Sequence, residues 1–304
     1  MAELPAPLRD EVESALTGLG RPTRIASSTS VSGGCINHGA RLDMAEGACY
    51  FLKWNAESPP GMFAAEADGL EALTDACTLR IPKPVARGGE GDAPGWLLLE
   101  YIGPGRPAAR FNEALGQGLA ALHSAPRDGG FGWGMDNWIG SLPQANSASA
   151  SWGAFWRDQR LAPQLEAARC GGHLVGPSGR VMDRLLELIP EALADLDGAS
   201  PALLHGDLWG GNAYADESGA PVIIDPAVYA GHGEVDLAMT ELFGGFGSRF
   251  YAAYDEVLAI TDAYDAYRRD LYQLYYLLVH VNLFGSGYVN GTLAAASRVV
   301  SALA

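Results

Sequence analysis

The fold of this chain is decided by one stretch, Leu203–Pro226, which reads Leu-Leu-His-Gly-Asp-Leu-Trp-Gly-Gly-Asn-Ala-Tyr-Ala-Asp-Glu-Ser-Gly-Ala-Pro-Val-Ile-Ile-Asp-Pro. It begins with two apolar residues and continues into a loop that holds Asp207 and Asn212. Strand formers on both sides of a turn-rich segment, residues 216–221, then predict a hairpin. Because a hairpin folds the chain back on itself, we expect Asp225 to lie beside Asn212.

These converging oxygen ligands are typical of a magnesium site, since Mg²⁺ takes one or two protein groups and fills its shell with phosphate oxygens and water. The spacing of Asp207 and Asn212 is that of the protein-kinase catalytic loop, and Asp225 falls where the second metal-binding aspartate belongs. A solvated loop with capping acids is the alternative. We expect His205 and Asp236, the latter at a predicted helix start, to brace this loop without taking part in chemistry.

Composition limits the class of protein. The chain has 304 residues, of which 48% are hydrophobic, and its mean hydropathy is close to zero, which is typical of a globular protein of one large or two modest domains. The net charge of −16 argues against a nucleic-acid-binding surface. The N-terminus lacks a signal-peptide pattern, and the apolar run 271–284 contains polar residues and is too short to span a bilayer. We therefore expect a cytoplasmic protein with no membrane partner.

A glycine-containing turn, Ser32–Gly39, lies between the first two of three predicted strands. Gly33 and Gly34 would let backbone N–H groups approach nucleotide phosphates closely. An ordinary glycine hairpin is the alternative, because the Gly-x-Gly-x-x-Gly pattern of protein kinases is missing. Oxidation of Cys35 in this turn would obstruct ATP; the alternative is that Cys35 is simply a small residue tolerated in a turn.

Lysine is rare in this chain, because Lys53 and Lys83 are the two lysines among 20 basic residues. Lys53 stands in the third predicted strand, where kinases keep the lysine that pairs with the nucleotide phosphates. A snorkelling lysine on an edge strand is the alternative. The following predicted helix carries Glu66 beside its apolar stripe, and we expect Glu66 to pair with Lys53, with Glu71 as the competing candidate.

A connector punctuated by glycine and proline follows the fifth predicted strand. It predicts a boundary between a β-rich N-lobe, residues 1–101, and a mainly helical C-lobe, residues 102–304, in a two-lobed α+β protein. In a kinase this connector is the hinge, whose backbone around Glu100 to Ile102 would bind adenine. The segment 131–151 is either a loop over the cleft or a plain helix connector.

Taken together, these motifs resemble the fructosamine kinase and ketosamine-3-kinase family over nearly the whole chain. The His-Gly-Asp-x-x-x-x-Asn pattern is shared with aminoglycoside phosphotransferases, choline kinases and homoserine kinases. More specific are Trp209 and the Asp225-Pro-Ala and Leu242-Phe-Gly-Gly-Phe246 segments. The full set of matching segments is Ser32-Gly-Gly-Cys-Ile-Asn37, Lys53, Met62-Phe-Ala-Ala-Glu66-Ala-Asp-Gly-Leu70, His205-Gly-Asp-Leu-Trp-Gly-Gly-Asn212, Asp225-Pro-Ala and Leu237-Ala-Met-Thr-Glu-Leu-Phe-Gly-Gly-Phe246.

The resemblance implies a protein-kinase-like fold and the ATP-dependent phosphorylation of the 3-hydroxyl of a ketosamine, after which the sugar leaves its amine spontaneously. It makes Asp207 the catalytic base. It makes Asn212 and Asp225 the Mg²⁺ ligands, and Lys53 with Glu66 the pair that anchors the phosphates. Trp209 stands where serine/threonine kinases place a lysine, so charge stabilisation falls to Mg²⁺ and Lys53. We expect its ring to border the acceptor pocket or, alternatively, to pack between the catalytic loop and the C-terminal helices.

Two other functions stay open at this point. An aminoglycoside, another amino sugar or choline could be the acceptor, because an acidic site would also suit these cations. The chain could also be a pseudokinase that binds nucleotide and acts as a scaffold, although the complete set of Lys53, Asp207, Asn212 and Asp225 argues against this. The sequence does not distinguish a free ketosamine from a glycated amine on a protein. We expect a monomer or a weak dimer.

Overall fold

The computed structural model describes residues 4–31, 36–76, 78–89, 94–125 and 127–304. The N-terminal part is a five-stranded antiparallel sheet with two helices, and its strand order is β1-β2-β3-β5-β4. Its elements are α1 (Ala6–Gly18), β1 (Ile25–Ser30), β2 (His38–Met44), β3 (Cys49–Asn55), α2 (Met62–Ala76), β4 (Pro84–Gly88) and β5 (Gly95–Glu100).

Both faces of this sheet are covered by a helix, and strand β5 shows why. Leu97, Leu98 and Leu99 are consecutive, and all three are buried. Because successive side chains of a strand point to opposite faces, these leucines must serve two cores. Leu98 packs in the cluster that contains the apolar face of α1, whereas Leu97 and Leu99 pack with α2 and the helical part of the chain.

The C-terminal part is mainly helical and carries three short two-stranded sheets. Its helices are α3 (Phe111–Ser124), α4 (Trp152–Phe155), α5 (Ala162–Cys170), α6 (Pro177–Ala192), α7 (Glu234–Leu242), α8 (Ser248–Asp255), α9 (Arg269–Phe284) and α10 (Val289–Ala302). Its paired strands are β6 (Asn137–Ile139) with β7 (Leu142–Gln144), β8 (Ala202–Leu204) with β11 (Tyr229–Gly231), and β9 (Ala213–Ala215) with β10 (Pro221–Ile223).

Helix α9 is the centre of this part, since nine of its 16 residues are buried. The apolar run 271–284 is therefore a core helix, as expected. Within the described chain, no helix has both the length and the apolar character needed to cross a membrane.

Two long helices predicted from the sequence are interrupted. The helix predicted over 152–169 contains a π-helical turn, Trp156–Leu161, before α5 begins. Pro163 lies in the first turn of α5, and because proline has no N–H it cannot continue a regular α-helical pattern across this point. The helix predicted over 263–283 likewise begins with a π-helical turn, Tyr264–Arg268. The sequence also predicts a helix over residues 248–260, but α8 ends at Asp255.

The segment 131–151 is not a plain loop or helix connector, because it contains the β6–β7 hairpin. The hairpin predicted from the decisive stretch is present as β9 and β10, with Ala213 opposite Ile223. Beyond the last pair, the Ile224 N–H donates to the Asn212 carbonyl at 3.0 Å. This hydrogen bond brings Asp225 beside Asn212.

Candidate active site

A cavity of about 770 Å³ lies between the sheet and the helical part and is lined by residues of both. Lys53 and Glu66 reach it from the sheet and from α2. Asp207 and Asn212 reach it from residues 205–212, which we call the catalytic loop, and Asp225 reaches it from the end of the β9–β10 hairpin. Two polar residues of the N-terminal part and three of the C-terminal part therefore share one cavity. Gly33, Gly34 and Cys35 lie outside the described residues.

The catalytic loop is held by a buried carboxylate. Asp236 accepts hydrogen bonds from the backbone N–H groups of His205 and Gly206, both at 2.8 Å, and its Oδ2 lies 3.1 Å from His123 Nε2. Gly206 has φ +80°, and a Cβ there would lie 2.0 Å from the Ala227 carbonyl oxygen. Asp236 therefore braces this loop, and it does so through the loop's own backbone and not through the start of its helix.

His205 supports the same loop as a neutral imidazole. Its Nε2 lies 2.9 Å from the Ile224 carbonyl, to which it donates, and its Nδ1 accepts from the Asp207 N–H at 3.3 Å. One donating and one accepting nitrogen fit the neutral ring. Burial also lowers the pKa of His205. His205 is thus a hydrogen-bonded brace between the catalytic loop and the residue before Asp225.

Asn212 is oriented so that its oxygen can face a cation. The Nδ2 of Asn212 donates to the Asp207 carbonyl at 2.8 Å, and it lies 3.4 Å from the carboxylate of the same residue. The amide oxygen is therefore the atom that Asn212 can offer to a metal. Asp225 adopts the left-handed conformation with φ 55°, which is uncommon for residues other than glycine, and its carboxylate lines the same cavity.

These two oxygen donors fit magnesium. Within the described ranges, no group of three or more His, Cys, Asp or Glu side chains is arranged to hold a metal by itself. Mg²⁺ needs no such cage, since it binds through one or two protein groups together with phosphate oxygens and water. The pair of Asn212 and Asp225 is the donor set expected for a metal that arrives with a nucleotide.

Asp207 lies in a strongly acidic environment. Burial raises the pKa of Asp207 well above its ordinary value, and the carboxylates of Asp225 and Asp236 raise it further. A carboxylate with a raised pKa is a stronger base than one in water. A cation bound at Asp225 would oppose part of this effect.

Lys53 is held between two carboxylates. Its Nζ lies 2.6 Å from Glu66 Oε1 and 3.0 Å from Asp225 Oδ1, and its side chain is 9% exposed. Burial alone would lower the pKa of Lys53, but the two flanking carboxylates outweigh it and raise that pKa above its ordinary value. Glu66 is thus the partner of Lys53 in the structure, whereas the competing candidate, Glu71, is exposed.

Helix α2 is fastened to the helical part of the protein as well as to the sheet. Gly69 packs against the residues that follow Asp225, and a Cβ at this position would lie 2.9 Å from Val228 Cγ2. One residue earlier, Asp68 accepts a hydrogen bond from Trp133 Nε1 at 2.7 Å. The helix that carries Glu66 and the loop that carries Asp225 are therefore in direct contact.

The predicted hinge residues line the cavity, and several of their donor and acceptor groups already form hydrogen bonds within the protein. The Glu100 N–H donates to the Lys83 carbonyl, and the Glu100 carboxylate accepts from Arg80 at 2.9 Å. The Ile102 carbonyl accepts from Tyr214 Oη at 3.0 Å. The Glu100 N–H, the Glu100 carboxylate and the Ile102 carbonyl are therefore already engaged within the protein.

Trp209 both lines the cavity and packs against the protein core. Its ring lies over Gly211, where a Cβ would come within 2.3 Å of the ring. The two alternatives for Trp209 are therefore not exclusive in this structure. A side chain at position 211 would displace the ring from the catalytic loop.

A buried network of amides, which was not predicted from the sequence, supports the β6–β7 hairpin. Asn137 Nδ2 donates to the Val228 carbonyl at 2.7 Å, and Gln144 Nε2 donates to Asn137 Oδ1 at 2.8 Å. Arg160, which is fully buried, donates to Asn146 Oδ1 at 2.7 Å and lies over the Tyr229 ring at 3.9 Å. A cluster of amides in a segment without apolar periodicity is the one signal that could have pointed to this network.

The fold and the site define a class of protein. The β-rich part carries a Lys–Glu pair, and the helical part carries a loop with Asp and Asn and a hairpin that ends in a second Asp. This is the arrangement of protein-kinase-like phosphotransferases. The α+β class predicted from the sequence is therefore confirmed.

The comparisons narrow this class to a family. The family model for fructosamine kinase matches residues 10–302. A protein of Synechocystis sp. described as a probable ketoamine kinase is 43% identical over 93% of this chain and 94% of its own. The chloroplastic protein-ribulosamine 3-kinase of Arabidopsis thaliana is 40% identical over 90% of this chain and 83% of its own.

A solved structure agrees with this result. The crystal structure assigned as a fructosamine-3-kinase from Thermobifida fusca has a TM-score of 0.82 and 32% identity, and the match covers 96% of this chain and 99% of that one. The chain belongs to the fructosamine kinase family.

Proposed function

We propose that this protein is an ATP-dependent kinase that phosphorylates the 3-hydroxyl of ketosamines, either free or carried by glycated amines. The proposal is carried by one observation: Lys53 Nζ contacts both Glu66 and Asp225 in the cavity that Asp207 and Asn212 also line. Membership of the fructosamine kinase family supports the choice of acceptor. Because the phosphorylated sugar would then leave its amine, the role is deglycation.

Each residue of the cavity has a separate task. The Lys53 ammonium, held by Glu66, binds the α- and β-phosphates of ATP. Asp207 accepts the proton of the acceptor hydroxyl. The hydroxyl oxygen bonds to the γ-phosphorus, while the bond between the γ-phosphorus and the β-phosphate oxygen breaks, so that ADP leaves. The Glu100 carbonyl and the Ile102 N–H hold the adenine. Gly33 and Gly34 remain the predicted backbone contacts to the phosphates.

Asn212 and Asp225 would hold Mg²⁺ through their side-chain oxygens. When bound, the ion neutralises charge on the β- and γ-phosphates during transfer. Trp209 stands where serine/threonine kinases place a lysine near the transferred phosphate. Among the described residues that line the cavity, Lys53 is therefore the one that supplies a positive charge. We expect Trp209 to place its ring against the C–H surface of the sugar.

Three features of the proposal rest on the sequence. A cytoplasmic location and a monomeric or weakly dimeric state stay predictions, as does the division into lobes at residues 101 and 102. The aminoglycoside, choline and pseudokinase alternatives have no support in the family assignment, and turnover with a ketosamine would separate this chain from all three.

The test is a kinetic panel that measures ADP release with Mg²⁺ and ATP. The acceptors are ribulosyl-lysine, fructosyl-lysine, erythrulosyl-lysine, free fructose with lysine, an aminoglycoside and choline. We expect turnover with the ketosamines and little with the other acceptors. Mass spectrometry of the product would show one added phosphate, followed by release of the free amine.

Variants of the two carboxylates supply the controls. Asp207→Asn should lower kcat by on the order of 10² to 10⁴, the usual cost of removing a positioned base. Asp225→Asn should do the same and should change the Mg²⁺ dependence, whereas Asp262→Asn, at an exposed position outside the cavity, should have no effect. Near wild-type turnover in either site variant, or faster phosphorylation of the aminoglycoside than of any ketosamine, would contradict the proposal.

A further inference from the structure

Part of the cavity lining is aromatic. We call the residues Phe243, His280, Phe284 and Tyr288, all of which line the cavity, the aromatic rim. They come from the end of α7, from α9 and from the turn before α10. The ring of His280 is at the centre, with its centroid 4.6 Å from that of Phe243, 5.4 Å from that of Phe284 and 4.9 Å from that of Tyr288.

Two members of the rim are unusually exposed. Phe243 is 42% exposed and Phe284 is 54% exposed, and among the large hydrophobic side chains that the described residues leave exposed, these two are the aromatic ones. Single exposed hydrophobic residues need no explanation, but neighbouring ones at the mouth of a cavity mark a contact surface. The surface is continuous with the site, because Asp207 and Trp209 line the same cavity.

The rim is also uncharged. His280 Nδ1 donates to the Tyr276 carbonyl at 2.8 Å, and burial lowers the pKa of the ring, so that His280 is neutral at pH 7. Within the described part of the chain, Lys53 is the one Lys or Arg side chain that lines the cavity, and it is already paired with Glu66 and Asp225. An anionic group at the rim would therefore find no cationic partner.

The chemistry of the acceptor decides what reaches the rim. In a ketosamine the amine is on C1, two carbons from the 3-hydroxyl, and the group attached to the nitrogen extends further away. With the 3-hydroxyl at Asp207 and ATP between Lys53 and the hinge, the attached group must leave the cavity on the side away from the nucleotide. The rim adjoins the catalytic loop, because a Cβ at Gly245, two residues after Phe243, would lie 3.0 Å from Gly210 Cα.

We infer that the aromatic rim is a subsite for the uncharged carbon chain attached to the ketosamine nitrogen, and this inference rests on the proposed function. The side chain of a glycated lysine within a peptide is such a chain. Packing of its methylenes on Phe243 and Phe284 removes apolar surface from water on both partners. The rim thereby makes the enzyme selective for the amine as well as for the sugar.

The experiment compares two acceptors with the same sugar, N-methyl and N-hexyl ribulosamine, as substrates of the wild type, Phe243→Ala, Phe284→Ala and the double variant. Wild type should prefer the N-hexyl acceptor in kcat/KM by on the order of tenfold, as expected for several buried methylenes. Each single variant should reduce this preference several-fold, and the double variant should nearly remove it. Val257→Ala removes an equally exposed side chain, 49%, away from the cavity and should keep the full preference.

The outcomes separate the two claims. Equal kcat/KM for both acceptors in the wild type, or an N-hexyl preference that survives in the double variant, would overturn the assignment of the rim while the ketosamine kinase activity stands. No phosphorylation of either acceptor would overturn the proposed function and the subsite with it. Thermal melts check that the variants fold, and the wild-type comparison is decisive without them.

Discussion

Lys53 Nζ and Asp225 Oδ1 lie 3.0 Å apart, although 172 positions separate the two residues in the chain. The contact joins the middle of the sheet to the loop that would bind the metal, and Glu66 shares the same ammonium at 2.6 Å. The cation therefore stabilises two carboxylates that would otherwise repel each other in the cavity. Binding of Mg²⁺ at Asp225 would take over part of this task and leave Lys53 for the phosphates.

This arrangement predicts that Lys53→Met lowers both activity and stability. The change leaves Glu66 and Asp225 without their shared cation, and removing one partner of a buried ion pair costs about 3–5 kcal/mol. Thermal or urea unfolding measures the loss, and kcat should fall by on the order of 10² or more.

The double variant Lys53→Met, Glu66→Gln should recover much of the stability but none of the activity, because it removes the second buried charge. Lys83→Met, at the exposed second lysine, is the matched control. Full activity in the Lys53 variant would remove this lysine from the mechanism.

Asp216 gives a prediction for pH. Its carboxylate accepts from the Ser218 hydroxyl at 2.6 Å, from the Ala220 N–H at 3.0 Å and from Arg80 at 3.1 Å, and these bonds, led by the hydroxyl, lower its pKa from 3.8 to about 2. A carboxylate with a lowered pKa in the folded state contributes stability above its unfolded pKa and loses it below. The contribution of Asp216 is therefore complete above about pH 4 and is lost as the pH falls towards about 2.

The measurement is the melting temperature of Asp216→Asn against the wild type from pH 7 to pH 2. The variant should melt a few degrees lower at pH 7, and the gap should close in the acid range. Asp262→Asn, at an exposed position that has no such partners among the described residues, is the control and should show no gap at any pH. A gap that is constant over the whole range would mean that the carboxylate charge is not what stabilises this turn.

Trp209→Ala should impair use of the acceptor more than binding of the nucleotide. The ring lines the cavity beside Asp207, so its loss should lower kcat/KM for the ketosamine by on the order of tenfold or more, with little change in KM for ATP. Trp209→Phe keeps a flat apolar ring and should recover most of the loss. If Trp209→Ala fails to fold while Trp209→Phe has normal kinetics, packing on the catalytic loop is the main role of the side chain.

Arg160→Met should loosen the β6–β7 hairpin. The guanidinium donates to the Ala145 carbonyl at 2.6 Å and to Asn146 Oδ1 at 2.7 Å, and each buried acceptor left without a donor costs about 1–3 kcal/mol. We expect a lower melting temperature and a higher KM for the acceptor, because the hairpin lines the cavity. Arg184→Met, whose side chain is 57% exposed, is the control. An unchanged acceptor KM in a destabilised Arg160→Met protein would make the network purely structural.

Much of the fold could be predicted from the sequence, because in most elements the apolar residues recur with the period of a helix or a strand. The pattern of residues 234–242 predicts a helix, which is present as α7 with the same bounds. Strands predicted at residues 25–31, 40–44, 48–54, 82–86 and 95–99 are present with ends that differ by up to two residues. The β6–β7, β8 and β11 strands have three residues each and show no period of their own. They form because a partner strand or a buried amide such as Gln144 fixes them, and neither can be seen in local sequence.

The candidate active site was also predictable only in part. The pairing of Lys53 with Glu66 follows from spacing on a strand and a helix, and the nearness of Asp225 to Asn212 follows from a hairpin. The contact of Lys53 with Asp225 does not, since it depends on how two distant parts of the chain are packed. Phe243 stood in a segment that marks the family, but only the fold places it beside His280.

The contacts of helix α2 restrict its movement. Many protein kinases are switched off by swinging the corresponding helix outward, which separates the glutamate from the lysine. Here Gly69 fits against Val228 without room for a methyl group, and Asp68 is tied to Trp133. An outward swing would have to break both contacts and uncover the apolar face of the helix. The Lys53–Glu66 pair is therefore secured by contacts that α2 makes with the helical part of the protein.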